Sequence, residues 1–274
     1  MPITQWLKRI YQRRVPSAAR QRIRKTAREI PIRVRDFPAD LQERFSPGVV
    51  PLPPARLRGR VGIDSSRAHF IDVGRRAADD IVAVLRAVDS PDAYPRWLDF
   101  GCGAGRVARH LIRHGFIRRM TGIDVDASAI RWSSRHLRDE YRVVDATPPT
   151  ALADGAFDVV CAVSVFTHFD EETQHAWLSE LRRLLRPGGL LIASTQGPHL
   201  TPNRPDLEGR DHEQLRDRGF VFRAGIGPFN EDTAFHSQEY LERQWSPELE
   251  LIAFKPSGLV DYLDLSVWRR STPA

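Results

Sequence analysis

The sequence between residues 97 and 111 reads WLDFGCGAGRVARHL and combines an apolar run, a glycine-rich turn and a basic helix-forming segment. We expect a buried strand here, then a turn through Gly101, Gly103 and Gly105, and then a helix that ends before Gly115. Three glycines in five residues allow positive φ angles and let a ligand approach without obstruction by Cβ atoms. The spacing G-x-G-x-G is neither the dinucleotide pattern G-x-G-x-x-G nor the P-loop pattern. The turn therefore predicts a small-molecule site at the end of a strand.

The composition is that of an ordinary globular protein. The chain has 274 residues, of which 41% are hydrophobic, enough for one large α/β domain or two small ones. No apolar run approaches the ~18 residues of a membrane span, and the N-terminus lacks a signal-peptide pattern, so we expect a cytoplasmic protein. Cys102 and Cys161 lack disulfide or metal spacing and are expected to be small buried residues.

The net charge of +6 is concentrated near the N-terminus. Residues 1–60 hold 15 Lys and Arg against four Asp and Glu, whereas the rest of the chain holds 26 against 31. Helical spacing in residues 3–11 and an arginine-dense run at 17–30 predict two basic helices. Such helices bind anionic membranes, acidic partners or nucleic acid; alternatively, they pack on the protein's own body or on a second subunit. We expect residues 1–30 to contact the inner face of a membrane or a partner enzyme.

Residues 31–60 contain six prolines and are predicted to form an extended strap. Residues 1–65 are accordingly assigned to a basic helical arm and proline-rich strap, and residues 66–274 to the main domain. Within that domain, residues 198–238 are rich in Pro, Gly, Asp and His and are too long for an ordinary connection. We expect this insertion to form a lid over the ligand-binding edge.

Strand and helix patterns alternate through the main domain, as in α/β proteins with a parallel sheet. Strands are predicted at residues 97–100, 120–125, 140–144, 157–165, 190–194, 248–254 and 262–268, and helices at 68–88, 127–137, 171–186 and 238–245. The last two strands are expected to join around Pro256, Ser257 and Gly258.

An acidic residue follows the second predicted strand. Asp124 lies 23 residues after Gly101. In a doubly wound sheet, an acid about 20 residues beyond the glycine turn reaches the ribose hydroxyls of a bound cofactor. Asp124 is therefore a candidate ribose ligand, and Asp126 either assists it or caps the following helix.

Residues 66–274 resemble class I methyltransferases, which bind S-adenosylmethionine (SAM). The resemblance rests on the glycine turn, the acid after the second strand, and the helix, Pro-Gly-Gly and strand that follow the fourth. The segments SVFTHF, ELRRLLRPGGLLIASTQG, FHSQEYLERQW and DYLDLSVWRR, which begin at residues 164, 180, 235 and 261, are similar to bacterial O-methyltransferases of polysaccharide and glycolipid pathways. The resemblance implies an α/β fold: a Rossmann-like, doubly wound sheet of seven strands, mostly parallel, with an antiparallel C-terminal hairpin.

The same resemblance implies a set of SAM contacts. The acid of the glycine motif, Asp99, would face the amino group of SAM, and the N–H groups of the turn would favour its carboxylate. Asp124 would bind ribose, and Asp145, after the third strand, would bind adenine. The full set of expected cofactor contacts is Asp99, Gly101, Cys102, Gly103, Gly105, Arg106, Asp124, Val125, Asp145 and Ala146.

His168 follows the fourth predicted strand, beside the place where the family positions acceptors. Its near-neutral pKa suits a general base that removes a proton from an alcohol; alternatively, the ring only makes local hydrogen bonds. His236 is a second candidate catalytic base, and the run Asp211-His212-Glu213 in the lid offers further ones. No residues are assigned as metal ligands.

The expected function is methyl transfer from SAM to a hydroxyl of a saccharide, glycolipid or related small molecule, with S-adenosylhomocysteine as the product. One alternative is an RNA methyltransferase whose basic arm binds phosphates. The acidic balance of residues 61–274 and the lack of an Asn/Asp-Pro-Pro-Tyr motif after the fourth strand disfavour it. The other alternative is a non-catalytic SAM-binding scaffold protein.

Overall fold

The computed structural model describes residues 17–46, 50–61, 65–204, 207–225, 232–246 and 248–272, except for the side chains of residues 17–29 and of Arg44. The chain divides into two compact units, Met1–His69 and Phe70–Ala274. The helix predicted at residues 3–11 lies outside the described residues. Within the described ranges, no helix is both long and apolar enough to cross a membrane.

Helix α1 (Ser17–Arg44) is the longest element of the described part of the first unit. It continues through Pro31 and Pro38, so the prediction of an extended strap is wrong as far as the end of α1. An internal proline removes a backbone hydrogen bond and disfavours a helix by ~3 kcal/mol. The helix therefore needs support from the other helical segments of this unit, α2 (Ala55–Arg58) and the start of α3 (Arg67–Val88).

An ion-pair network provides this support. Asp36, Asp40 and Glu43 recur at helical spacing on α1 and share one face of it. Arg58, whose side chain is fully buried, places Nη1 at 2.9 and 3.0 Å from the two Asp40 oxygens and Nη2 at 3.4 Å from Asp36 Oδ2. Arg67 pairs with Asp40 and Glu43. The acidic face thus holds the proline-containing half of α1 against α2 and the first residue of α3, Arg67.

The second unit alternates strands and helices. Its described strands are β1 (Arg96–Phe100), β2 (Arg119–Asp124), β3 (Glu140–Val143), β4 (Phe157–Ala162), β5 (Leu185–Thr195), β6 (Phe220–Arg223), β7 (Thr233–His236), β8 (Glu250–Leu259) and β9 (Leu263–Arg269). Its described α-helices after α3 are α4 (Ala108–Leu111), α5 (Ala127–His136), α6 (Glu171–Leu184), α7 (Gly209–Arg218) and α8 (Gln238–Trp245).

Seven strands form one sheet in the order β3-β2-β1-β4-β5-β9-β8. The first five pair in parallel, whereas β9 runs antiparallel to both β5 and β8. This arrangement confirms the predicted α/β fold with its antiparallel C-terminal strands. The strand order reverses between β1 and β4, and open α/β sheets bind ligands outside the carboxyl ends of the strands at such a switch point.

Both faces of the central sheet are covered. Every residue of β4 is buried, as its continuous apolar sequence predicts for a central parallel strand. Trp177 of α6 and Trp245 of α8 belong to one hydrophobic cluster, and Ile81 and Leu85 of α3 belong to the other. Because the strand faces are filled by packing, functional groups have room only at the strand ends.

The turn between β8 and β9 differs from the prediction. Strand β8 runs on through residues 256–258, and the chain reverses at Val260 and Asp261, whose φ angles are 57° and 52°. A positive φ is unfavourable for a β-branched residue such as Val260. Its N–H donates to Asp80 of α3 at 2.7 Å, and Arg76 of α3 pairs with Asp261 at 2.6 Å. These contacts from α3 stabilise the turn.

The predicted lid, residues 198–238, contains a short 3₁₀ helix (Pro198–Asn203), α7 and the hairpin of β6 and β7. The hairpin forms a two-stranded sheet of its own. The N–H of His236 in β7 donates to the Gln196 carbonyl at 2.8 Å, which attaches the hairpin to the chain just after β5. Its role as a lid stays a prediction.

The ion-pair network predicts a large cost for removing its buried arginine. Replacing Arg58 by leucine leaves Asp36 and Asp40 without their buried partner and should destabilise the first unit by about 3 kcal/mol. Hydrogen exchange of residues 36–44 in the full chain measures this opening free energy. The control is Arg75→Leu, which removes two half-exposed ion pairs, with Asp72 and Asp79, and should change stability by about 1 kcal/mol or less. Equal protection of residues 36–44 in the two variants would show that the network does not support α1.

Candidate active site

The glycine turn after β1 is held by the end of β2. The N–H groups of Gly101 and Cys102 donate to the Ile123 carbonyl at 2.9 and 3.1 Å, and the N–H of Gly103 donates to Asp124 Oδ2 at 2.7 Å. Gly101 and Gly103 have φ angles of 75° and 52°. The turn therefore takes its shape from the neighbouring strand, at the edge where the switch point lies.

Two of the glycines are required for packing. A Cβ atom on Gly101 would overlap the side chain of Val165, and one on Gly105 would overlap Leu137. The sequence argument attributed this glycine content to a ligand's close approach. At these two positions the space is taken by protein side chains. Val165, in the segment after β4, packs against Gly101, and Leu137, directly after α5, packs against Gly105.

Asp99, at the end of β1, is a buried carboxyl group without a complete set of partners. Its side chain is 3% exposed, and Oδ2 has no hydrogen-bond partner among the described residues. Burial, assisted by the negative charge of Asp124, raises the pKa of Asp99 to about 7. Since a buried carboxyl oxygen is normally hydrogen-bonded, Asp99 fits a ligand that brings a cationic donor.

Arg106 and Cys102 lie close to this carboxyl group. Burial lowers the pKa of Arg106 to about 10, and the charge of Asp99 opposes that shift. Burial raises the pKa of the Cys102 thiol, with Asp99 contributing in the same direction. Both Cys102 and Cys161 are unpaired and buried, as predicted. The N–H groups of Gly101, Cys102, Gly103 and Gly105 donate to protein oxygens, so the charged side chains of Asp99 and Arg106 are the candidate ligand contacts of this turn.

The carboxyl ends of β2 and β3 carry the remaining expected cofactor residues. Asp124 Oδ1 accepts the N–H of Asp126 at 2.8 Å, and Asp126 itself caps α5 by accepting the N–H groups of its first turn. Val125 is 59% exposed, and Asp145 and Ala146 are also exposed. This edge thus combines carboxylates with an apolar surface.

His168 lies in the 3₁₀ turn Phe166–His168 after β4. Its Nδ1 is 2.8 Å from the carbonyl oxygen of Asp232, which lies just before β7. A carbonyl only accepts, so Nδ1 carries the proton and Nε2 of the neutral ring holds the lone pair. Burial lowers the pKa of His168. The ring is therefore neutral at pH 7, in the tautomer that can take a proton at Nε2.

Strand β4 ends earlier than predicted, at Ala162, because the chain turns sharply at Ser164. Ser164 has a φ of 58°, and its N–H donates to the hydroxyl of Ser194 on β5 at 2.8 Å. Left-handed conformations of residues other than glycine cluster at functional sites. This turn brings the segment of His168 to the carboxyl edge of the sheet.

Gln196, just after β5, is a site residue that sequence reasoning missed. Its buried amide donates to Thr233 Oγ1 at 2.8 Å and to the Ala234 carbonyl at 3.0 Å. These contacts hold the start of β7, next to the Asp232 carbonyl that orients His168. The sequence feature that could have identified Gln196 is its position directly after the fifth predicted strand, because ligands bind outside the carboxyl ends of strands in open α/β sheets.

His236 occupies a different environment from His168. Its ring is fully buried, packs against Phe220 and Tyr240, and contacts the Gln174 amide at 2.9 Å. Burial lowers its pKa to about 3. A neutral ring buried to this extent is poorly placed to take a proton from a solvated acceptor, so the structure favours a packing role for His236.

The other candidate bases lie on α7. Asp211 is buried, forms the capping box of α7 with Glu208, and is bonded to Arg223 at 3.2 Å. His212 and Glu213 are exposed on the same helix. Asp211 therefore stabilises the insertion through α7 and Arg223, which disfavours it as a catalytic base.

Comparison with known proteins agrees with this geometry. Residues 98–193 match the family model described as a methyltransferase domain. The ubiquinone biosynthesis O-methyltransferase of Caulobacter sp. (strain K31) is 34% identical over 105 residues, which are 36% of this chain and 40% of the relative. The malonyl-[acyl-carrier protein] O-methyltransferase of Enterobacter lignolyticus is 31% identical over 124 residues, covering 45% of this chain and 46% of the relative. The chain thus spans less than half the length of these curated relatives.

A solved structure shows the same fold. A SAM-dependent methyltransferase from Methanosarcina mazei superposes with a TM-score of 0.54 at 18% identity, covering 69% of this chain and 98% of its own. The fold and the carboxyl-edge site define the second unit as a Rossmann-like methyltransferase fold. The residues matched by the methyltransferase-domain model, 98–193, include the glycine turn, Asp124 and His168.

The packing of the glycine turn predicts unequal effects of two glycine replacements. Gly225→Ala, at a φ of 73° in open space, incurs only the left-handed backbone cost of about 1–2 kcal/mol. Gly101→Ala adds the overlap with Val165 and should be more destabilising and weaken SAM binding. Urea unfolding and calorimetric titration with SAM measure both effects. Equal stability and equal SAM affinity in the two variants would contradict the packing constraint.

Proposed function

We propose that the protein is an active SAM-dependent O-methyltransferase whose acceptor is a hydroxyl of a saccharide, glycolipid or related small molecule. The observation that carries this proposal is the neutral His168, with a basic Nε2, on the strand-end segment that packs against Gly101 of the cofactor turn. The two curated relatives described above are O-methyltransferases. The saccharide class rests on the resemblance of the segments at residues 164–169, 180–197, 235–245 and 261–270.

The residues of the site fit the parts of SAM in the following way. Asp99 accepts the ammonium group with its unpaired Oδ2, and Arg106 pairs with the carboxylate. The N–H groups of Gly101, Cys102 and Gly103, which were expected to bind this carboxylate, instead donate to Ile123 and Asp124. Asp124 binds the ribose hydroxyls. Its carboxylate accepts the N–H groups of Gly103 and Asp126, and these bonds fix its position at the end of β2.

The adenine end is assigned to the edge of β2 and β3. The exposed Val125 offers an apolar face to the ring, while Asp145 accepts its amino group. Ala146 borders the ring, and its carbonyl is held by the Trp177 indole at 3.1 Å. Together, these assignments account for the carboxylates and the apolar surface at this edge.

The chemical work left to the protein is alignment and proton removal. SAM supplies a methyl group on a positively charged sulfur, which is already a good leaving group. The protein holds the acceptor oxygen in line behind that methyl group. His168 Nε2 takes the hydroxyl proton as the oxygen–methyl bond forms and the methyl–sulfur bond breaks. The products are the methyl ether, S-adenosylhomocysteine and protonated His168.

A labelling experiment tests the acceptor class. The full chain is incubated with SAM carrying a labelled methyl group and with separate glycan, lipid and RNA extracts. We expect the label in the glycan or glycolipid fraction as an alkali-stable ether, and no transfer by Asp124→Ala, which should also lose SAM binding. Label in RNA would replace the proposed acceptor, whereas SAM binding without transfer to any fraction would favour a non-catalytic scaffold.

Removing the proposed base should affect transfer but not cofactor binding. His168→Ala is expected to keep the SAM affinity of the wild type and to lower the transfer rate by about 10²–10⁴-fold. His212→Ala, at an exposed position on α7, is the control and should react at nearly the wild-type rate. Single-turnover transfer to the labelled fraction measures both. Unchanged turnover of His168→Ala would remove His168 as the base.

The raised pKa of Asp99 predicts pH-dependent SAM binding. Below its pKa of about 7 the carboxyl group of the free protein is protonated, whereas the bound ammonium group favours the carboxylate, so binding releases a proton. Affinity should rise about tenfold per pH unit below that value and level off above it. Calorimetry in buffers of different ionisation enthalpy measures the proton release. Asp99→Asn should lose this dependence, and an unchanged slope would assign the proton to another group.

A further inference from the structure

Helix α1 exposes an apolar stripe in its described half. The stripe consists of Ile30 (54% exposed), Val34 (70%), Phe37 (61%), Leu41 (45%) and, directly after the helix, Phe45 (75%). These are five of the ten large apolar side chains found exposed in the described part of the chain. Their spacing of four, three, four and four residues places them within an arc of about 80° at 100° per residue. Such a continuous exposed stripe is typical of a docking surface.

The acidic residues of α1 lie on another face and are neutralised within the first unit. Asp36, Asp40 and Glu43 lie roughly 130° around the helix from the stripe, on the same helical geometry. They are paired with Arg58 and Arg67. They therefore give the stripe no negative surroundings.

The sequence around the stripe is strongly basic. Residues 17–35 contain seven Lys and Arg and a single acidic residue, Glu29. Arg35 keeps 65% of its side chain exposed, and its Nε lies 3.0 Å from Asp36 Oδ1. An apolar stripe combined with a basic run complements the boundary between acyl chains and anionic headgroups.

We propose that α1 docks along the surface of an anionic lipid bilayer, with the stripe at the headgroup boundary and the basic run against lipid phosphates. A second copy of the chain complements this surface poorly. If two α1 helices paired in the same direction, their arginine runs would lie side by side and repel. If they paired in opposite directions, the acids of α1 would not attract the arginines of the other copy, because they are already paired with Arg58 and Arg67. This inference is independent of the proposed methyl transfer, because it involves only the first unit.

Vesicle sedimentation of the full chain tests the proposal. We expect binding to phosphatidylcholine vesicles that contain phosphatidylglycerol, weaker binding as salt is raised, and little binding to phosphatidylcholine alone. The double variant Phe37→Ser/Phe45→Ser should lower the partition coefficient by about tenfold or more. The matched control is Tyr262→Ser, which removes another exposed aromatic residue, 51% exposed, in the turn between β8 and β9, and should bind like the wild type.

Two control measurements test whether the double variant is folded. Circular dichroism and SAM titration should be the same for the double variant and the wild type, which shows that both remain folded. Equal binding to neutral and anionic vesicles, or full binding by the double variant, would overturn the proposal. A vesicle-independent dimer that the double variant dissociates, with no vesicle binding by the wild type, would replace the bilayer by a second copy.

Discussion

The cofactor half of the site depends on the attachment of the glycine turn to the end of β2. One backbone carbonyl, that of Ile123, accepts two N–H groups of the turn, and the Asp124 carboxylate accepts a third. The ends of β1 and β2 are thereby joined outside the regular sheet pairing. Because Asp124 is both a structural acceptor and the proposed ribose ligand, the turn and the ribose contact have a fixed relative position before the cofactor arrives. This is preorganisation, which reduces the ordering cost of binding.

The proposed acceptor half depends on a different set of contacts. Gln196 joins the end of β5 to the start of β7, and the adjacent Asp232 carbonyl orients His168. These residues come from three separate parts of the chain. The two halves meet where Val165 fills the space beside Gly101, so packing between apolar groups sets their separation. The switch point of the sheet accordingly lies between the proposed cofactor edge and the proposed acceptor edge, which Thr233 and Ala234 of the insertion contact through Gln196.

The features that sequence reasoning predicted are those determined by near neighbours in the chain. The glycine turn, the apolar strand β4 and the caps at Asp126 and Asp170 each follow from a short run of residues. The fold follows from their order. The resemblance, in turn, supplied the candidate roles of the cofactor residues.

The features that sequence reasoning missed depend on distant partners. Helix α1 continues through two prolines because Arg58 and Arg67 pair with its acidic face, and the turn at Val260 is held by Asp80, 180 residues earlier. The environment of His236 is similarly made by aromatic rings from β6 and α8. The sequence close to these positions does not indicate which distant residues they contact. Periodicity alone therefore placed the helix end and the turn incorrectly.

The partner of His168 is a neutral backbone carbonyl, and this has a consequence for the catalytic cycle. In the Ser-His-Asp arrangement, a buried carboxylate stabilises the imidazolium that forms during the reaction. A carbonyl dipole orients the ring equally well. At His168 the carbonyl bond and the charge of Asp232 both raise the pKa, but burial lowers it more. The proposed base would therefore hold its captured proton weakly and pass it readily to solvent. A methyl donor that is already positively charged requires only a weak base, so the same arrangement favours rapid resetting of the enzyme between turnovers.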